Sequence, residues 1–175
     1  AELPENHLDA TEAKWFAVYT KYKREKVIAK DLNRKGIHSY LPIQKLTRIY
    51  ASKKKKVEMP LISCYIFVKI TKAVYLPVLQ TDNVVNFLRI AKNLISIPER
   101  VMEIMRRVVG EGISVTAEPS AGFRKGDQVE IMGGNLTGLT GTLIDNHGEK
   151  EVIIDLESMG YSLRMTLEAK FLRKI

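Results

Sequence analysis

The chain has 175 residues, 45% hydrophobic and 27% charged, and carries a formal net charge of +8. It can bury a core, yet it has no run of about 18 apolar residues that would offer a membrane span. One cysteine excludes an internal disulfide and fits a reducing, cytoplasmic setting, and the polar, acidic opening "AELPENHLDA" reads without a signal peptide.

Charge is unevenly spread. Residues 1–110 hold 21 Lys and Arg against 10 Asp and Glu, whereas residues 111–175 hold 7 against 10. Ten of the eleven glycines lie at or beyond Gly110, and all six prolines lie before residue 120. Two domains are expected: 1–110, with an ordered core from residue 14, and 123–175, joined by a small, polar linker at 111–122. The basic half is the candidate for a polyanion.

Taken in order, "KWFAVYTKY" (14–22) is aromatic and β-branched and reads as a strand. "REKVIAKDLNRKG" (24–36) reads as a helix that buries Val27, Ile28 and Leu32 and stops at Gly36. Lys26, Lys30 and Arg34 recur every fourth residue and line another face. "IHSYLP" (37–42) is a short strand. Residues 43–60 alternate loosely and read as a long exposed hairpin or loop, with Lys53, Lys54, Lys55 and Lys56 near its tip. "LISCYIFVKI" (61–70) reads as a buried strand, 73–80 as a short helix limited by Pro77, and 83–90 as a strand. In 96–110, Val101, Ile104, Met105 and Val108 give an i, i+3, i+4, i+7 stripe that ends at Gly110.

The N-terminal half is thus α+β, an antiparallel sheet covered by helices. From Phe123 onward, "DQVEIM", "TGTLID", "EVIIDL", "YSLRMT" and "KFLRK" are five short strands with glycine turns, the pattern of a small β-barrel.

No catalytic or metal constellation emerges, so no cofactor is expected. His7, His38 and His147 lack ligand-spaced partners, and Cys64 reads as a small core residue in an apolar strand. The carboxylate pairs Asp127/Glu130 and Glu149/Glu151 read as solvated. "GGNLTGLTG" (133–141) lacks the Lys-Ser/Thr of a phosphate loop and precedes a strand, so its glycines read as turn residues with positive φ. The basic residues Lys21, Lys23, Lys26, Lys30, Arg34, Lys35 and Lys53 to Lys56 form three clusters in one domain and point to nucleic acid. Such contacts mostly meet phosphate, setting affinity and salt dependence rather than sequence choice.

The motifs "WFAVYT…REKVIAKDL…YLP", "PLISCYIFV", "LQTDNVVNFL" and "IPERVMEIMRRV" together resemble the N-terminal (NGN) domain of the NusG family of transcription elongation factors. "FRKGDQVEIMGGNLTGLTGTLID", with Gly126, Asp127, Val129, Gly133, Gly134, Gly138 and Gly141, resembles the KOW motif that follows it. The resemblance implies a ferredoxin-like NGN domain and an SH3-like KOW barrel. It implies a monomer that packs an apolar surface on the clamp helices of the largest RNA polymerase subunit, suppresses pausing or termination, and touches non-template DNA or nascent RNA. The KOW domain would recruit a small-subunit ribosomal protein or a termination factor. By position, Tyr65 and Phe67, flanked by Pro60, Leu61 and Ile62, match the polymerase-binding strand; they are expected on one strand face that stays available, with Cys64, Ile66 and Val68 on the other. Lys21, Arg34 and Lys35 lie where specialised members touch DNA. Trp15 is expected to be structural.

Two departures bear on turn geometry. Ser63-Cys64 replaces the family's Pro-Gly or Pro-Asn before the strand tyrosine, and Asp82-Asn83 replaces Pro-Gly before the next strand. The lysine-rich hairpin resembles the specialised RfaH-like and UpxY-like antiterminators. Refolding of the KOW half into helices is not expected, because Gly133, Gly134, Gly138 and Gly141 would each cost about 0.8–1.0 kcal/mol relative to Ala. Two rivals differ in class. A ribosome-associated KOW-type RNA-binding protein should concentrate positive charge in the KOW half, and an enzyme should show a polar pocket constellation.

Overall fold

The computed structural model describes residues 3–120 and 126–175. Residues 121–125, which include the end of the expected linker and the opening of the KOW-like motif, lie outside that description. In chain order the elements are β1 (Lys14–Thr20), α1 (Glu25–Arg34), β2 (Ser39–Tyr40), β3 (Ile43–Tyr50), β4 (Lys53–Pro60), β5 (Tyr65–Ile70), α2 (Tyr75–Leu79) and β6 (Val84–Phe87). Then follow α3 (Glu99–Val109), β7 (Val115–Pro119), β8 (Asp127–Ile131), β9 (Thr140–Asn146), β10 (Glu149–Leu156), β11 (Tyr161–Thr166) and β12 (Leu172–Lys174). The chain divides into two compact units, Ala1–Pro42 with Ile62–Glu99 and Ile43–Leu61 with Arg100–Ile175.

The first unit is built on a four-stranded sheet in the order β2-β5-β1-β6, antiparallel throughout. β1 and β2, which α1 joins in the chain, lie on either side of β5, and this is the split β-α-β arrangement of a ferredoxin-like fold. One face carries Phe16, Val18, Ile66, Val68 and Ile70. It forms a core with Ile28 and Leu32 of α1 and Val78 of α2. Ile28 and Leu32 lie four residues apart and are fully enclosed, whereas Val27 is 42% exposed. The expected burial of Val27 is therefore not observed: one position before Ile28, it is rotated about 100° around the helix. Gly36 stops α1 with φ +72°. Pro77 falls in the first turn of α2, after a 3-10 turn at Lys72–Val74, where its missing N–H is tolerated.

The second unit holds a six-stranded sheet, β12-β8-β9-β10-β11-β7, and the two-stranded ribbon β3–β4. Four of the five short strands read from sequence extend close to their expected limits, and "KFLRK" shortens to β12. The stretch read as a linker contributes β7, which pairs with β11 from Val115↔Met165 to Pro119↔Tyr161. Its small and polar residues concealed an edge strand that needs only one buried side chain, Val115. In α3, Val101, Met102, Met105 and Val108 are buried. Met102 takes the inner position expected of Ile104, which is only half-buried.

Candidate functional site

The strand expected over 61–70 begins only at Tyr65, because Leu61–Cys64 form a turn that delivers the chain into β5. Cys64 stands there with φ +67° and Asn83 with φ +73°. These are the two positions where the sequence departs from Pro-Gly, so the left-handed backbone persists without glycine. Cys64 is consequently not a core strand residue but a half-buried turn residue. Its N–H donates to the Glu25 carboxylate at 3.0 Å, and its carbonyl accepts from Thr20 N–H at 2.8 Å. Glu25 is itself buried in the first turn of α1, where the helix N-terminus favours an anion.

Alternation along β5 divides its side chains as expected. Ile66 and Val68 enter the core against α1 and α2, which sends Tyr65 and Phe67 to the opposite face. That face was expected to be open. Instead Tyr65 is 7% and Phe67 0% exposed, Leu61 and Ile62 are also buried, and Pro60 is half-buried. The accessible margin of the face is Tyr19, 43% exposed, whose ring lies 5.5 Å from that of Tyr65 across the β1–β5 pairing. Sequence reading missed Tyr19; writing out the register against Tyr65 would have found it. Trp15 is structural, as expected: its Nε1–H donates to Glu99 at 2.9 Å and its ring meets His38 edge-on at 5.0 Å.

The cationic residues fall into two groups, one on each unit. In the first, Lys21 and Lys23 precede α1, while Lys26, Lys30 and Arg34 line its exposed side. Several members are engaged within the unit: Lys23 Nζ lies 5.5 Å from the centre of the Tyr22 ring, Arg34 pairs with Asp31 at 3.2 Å, and Lys35 Nζ donates to Thr81 Oγ1 at 2.8 Å and to the Pro77 carbonyl at 3.3 Å. The second group is the ribbon. Its turn is Ala51–Ser52, with Ala51 at φ +53°, and Lys53–Lys56 lie in β4 opposite Tyr50, Ile49, Arg48 and Thr47. All eight of these side chains are exposed. Arg48 joins the group through its pairing with Lys55, a contact hidden until the turn is placed.

At the ribbon's root, Gln44 is 5% exposed, and its side-chain amide both donates to the Val115 carbonyl and accepts from the Val115 N–H, each at 3.0 Å. Beyond β7, Arg107 of α3 donates to the carbonyls of Asn135 and Thr137, Asn135 Nδ2 donates back to the Arg107 carbonyl, and Asn135 N–H donates to Glu111.

The glycine-rich loop is structural in two different ways. Gly134 and Gly138 have positive φ, as expected. Gly133 is extended at φ −154°, and it and Gly141 serve close approach instead. A β-carbon at Gly141 would stand 2.6 Å from the Ile153 carbonyl oxygen, and one at Gly133 would stand 2.5 Å from the Phe171 ring. Gly126 is of the same kind: a β-carbon there would run into the Leu143 carbonyl oxygen. Val129 is a core residue and Asp127 pairs with Lys174 at 3.1 Å. Glu151, expected to be solvated, is 6% exposed and meets Arg164 at 3.3 Å. Arg164 also pairs with Glu118 at 3.1 Å. The hydrogen bond to Glu118, with the charge of both carboxylates, holds the guanidinium above its ordinary pKa. Among the described residues, no group of three His, Cys, Asp or Glu is placed to hold a metal ion, and no helix is long and apolar enough to cross a membrane.

A ferredoxin-like sheet with a cationic ribbon in its β2–β5 chain connection, followed by a small all-β sheet, is the NGN-plus-KOW architecture. The chain spans 95% of its own length and 99% of the other in superposition on a structure described as "Domain interaction in Thermotoga maritima NusG", with a TM-score of 0.60 at 21% identity. A chain from "MjSpt4:Spt5 complex conformation B" is 18% identical over 92% of this chain and 96% of that one, with a TM-score of 0.31. No curated protein sequence matches. The family model NusG, described as "Transcription termination factor nusG", matches residues 13–106, more than half of the chain. The chain belongs to the NusG family, a family of transcription factors rather than enzymes.

Proposed function

We propose that this chain is a transcription elongation and antitermination factor that rides on RNA polymerase. The family match over residues 13–106 carries the reading. The sheet face of Tyr65 and Phe67, with Tyr19 at its margin, docks on the clamp helices of the largest subunit, helped by Pro60, Leu61 and Ile62, which precede that strand in the chain. Because Tyr65 and Phe67 are buried, docking through them requires that face to be uncovered, and Tyr19 is the ring a partner meets first. Lys21, Lys23, Lys26, Lys30, Arg34 and Lys35 and the ribbon lysines Lys53 to Lys56 attend to non-template DNA or nascent RNA, with Arg34 exchanging Asp31 and Lys35 exchanging Thr81 for phosphate. The KOW half recruits a small-subunit ribosomal protein or a termination factor. The exposed, lysine-rich ribbon supports a specialised, operon-specific role, with pausing or termination suppressed at chosen transcripts.

The test is a paired capture experiment, with the full chain presented to core RNA polymerase and to ribosomes at equal concentration. Retention of polymerase is the expected result. Retention of ribosomes alone would replace this reading with that of a ribosome-associated RNA-binding protein.

A further inference from the structure

We infer that the tip of the β3–β4 ribbon enters the major groove of double-stranded, B-form DNA, with cations of both ribbon faces meeting phosphate. The inference rests on the nucleic-acid role proposed above and names the kind of nucleic acid. Cross-strand partners share a face, so the register assigns the side chains. Tyr50, Lys53, Arg48 and Lys55 lie on one face; Ile49, Lys54, Thr47 and Lys56 lie on the other. All are exposed.

Three features point to a groove rather than to a single strand. First, cations occupy both faces. A lone strand laid across one face would leave the cations of the other without phosphate, whereas a groove has a phosphate wall on either side. Second, Arg48 stands directly opposite Lys55, a like-charge pairing that destabilises an isolated ribbon. No acid stands directly opposite any of the four lysines, and Glu58 is the one carboxylate of the two strands, so the ribbon's charge is strongly positive and suits a ligand of high negative charge density. Third, single-strand binders string out aromatic rings on which successive bases stack. The only aromatic ring among these eight side chains is Tyr50.

The dimensions agree. Four residues per strand, Thr47–Tyr50 and Lys53–Lys56, project about 13 Å at about 3.3 Å per residue. The B-form major groove is about 12 Å wide and about 8.5 Å deep and admits a two-stranded ribbon. The A-form major groove of double-stranded RNA is too narrow for side chains to enter. Phosphate contacts of this kind fix position without reading sequence.

The experiment titrates the full chain against a fluorescein-labelled DNA duplex of arbitrary sequence, one of its single strands, and the matching RNA duplex, by anisotropy over a series of salt concentrations. Tighter binding to duplex DNA is expected, with log affinity falling linearly against log salt. Replacing Arg48 and Lys53 to Lys56 with Gln should flatten that slope by about 4–5, at about 0.9 per phosphate. R48Q/K53Q/K55Q and K54Q/K56Q separate the two faces, and each should flatten the slope on its own. If only one set does so, or the single strand binds as tightly as the duplex, the groove is wrong while the nucleic-acid role stands. If the five-site variant binds every probe as the unaltered chain does, the groove and the ribbon's part in the nucleic-acid role are both overturned. These side chains are exposed, so thermal unfolding of each variant should match the unaltered chain and keep the comparison clean.

Discussion

Gln44 and Val115 exchange two hydrogen bonds, each 3.0 Å long, between a side-chain amide and the backbone of an edge strand. The glutamine reproduces what a neighbouring strand would give β7, and it does so where it is 5% and Val115 also 5% exposed. Gln44→Leu keeps the bulk but orphans a buried N–H and a buried carbonyl. Each orphaned group costs about 1–3 kcal/mol. A lower urea midpoint is expected, together with faster hydrogen exchange at the Val115 amide. An unchanged exchange rate at that amide would mean that another group satisfies it.

Cys64 holds a left-handed backbone that costs a non-glycine residue about 1–2 kcal/mol. Cys64→Gly removes that cost and returns part of it as chain entropy in the unfolded state. The net expectation is a stabilisation of about 0.5–1 kcal/mol, read as a higher denaturant midpoint with the slope unchanged. Cys64→Val should move the midpoint the other way, because a β-branched side chain tolerates positive φ least.

Gly141 carries no such backbone demand; its constraint is the Ile153 carbonyl oxygen that a β-carbon would meet at 2.6 Å. Gly141→Ala must push β9 away from β10 and should cost about 1–3 kcal/mol, with amide shifts spreading through both strands in the NMR spectrum. At Gly138 a β-carbon meets nothing within 4 Å, but φ is +92°. Gly138→Ala should therefore destabilise through the backbone alone, with shifts confined to the turn.

Phe67 and Tyr19 separate packing from docking. Phe67→Ala empties a fully buried site and should cost about 3–5 kcal/mol of stability. Tyr19→Ala, at an exposed margin, should change stability by less than about 1 kcal/mol while weakening polymerase binding about tenfold. Both are read by denaturation and by affinity for core polymerase at a temperature where each variant is folded. Normal polymerase affinity in Tyr19→Ala would move the docking surface away from this face.

Much of the fold was legible because its signals are local. Aromatic and β-branched composition marked β1, an apolar run marked β5, a four-residue spacing marked Ile28 and Leu32, and Gly36 marked the end of α1. What stayed hidden depends on who faces whom. The pairing of Arg48 with Lys55 requires the turn at Ala51–Ser52 to be placed. The enclosure of Tyr65 and Phe67 cannot be read from a strand that would look the same exposed. Gly133 and Gly141 look like turn glycines, and only the positions of Phe171 and Ile153 reveal that they are there for want of room. Glu151 reads as a solvated charge because the strand pattern does not reveal Arg164, the partner that makes burying it tolerable.

The ribbon occupies the chain connection between β2 and β5, so all four strands of the ferredoxin-like sheet lie outside it. Its length can therefore change in evolution without shifting a residue of that sheet. Insertions and deletions are expected in pairs on each strand, since a single added residue would turn every later side chain to the opposite face. Each such step moves the turn outward or inward by about 6.6 Å, giving relatives a way to lengthen or shorten their reach while the rest of the fold stays as it is.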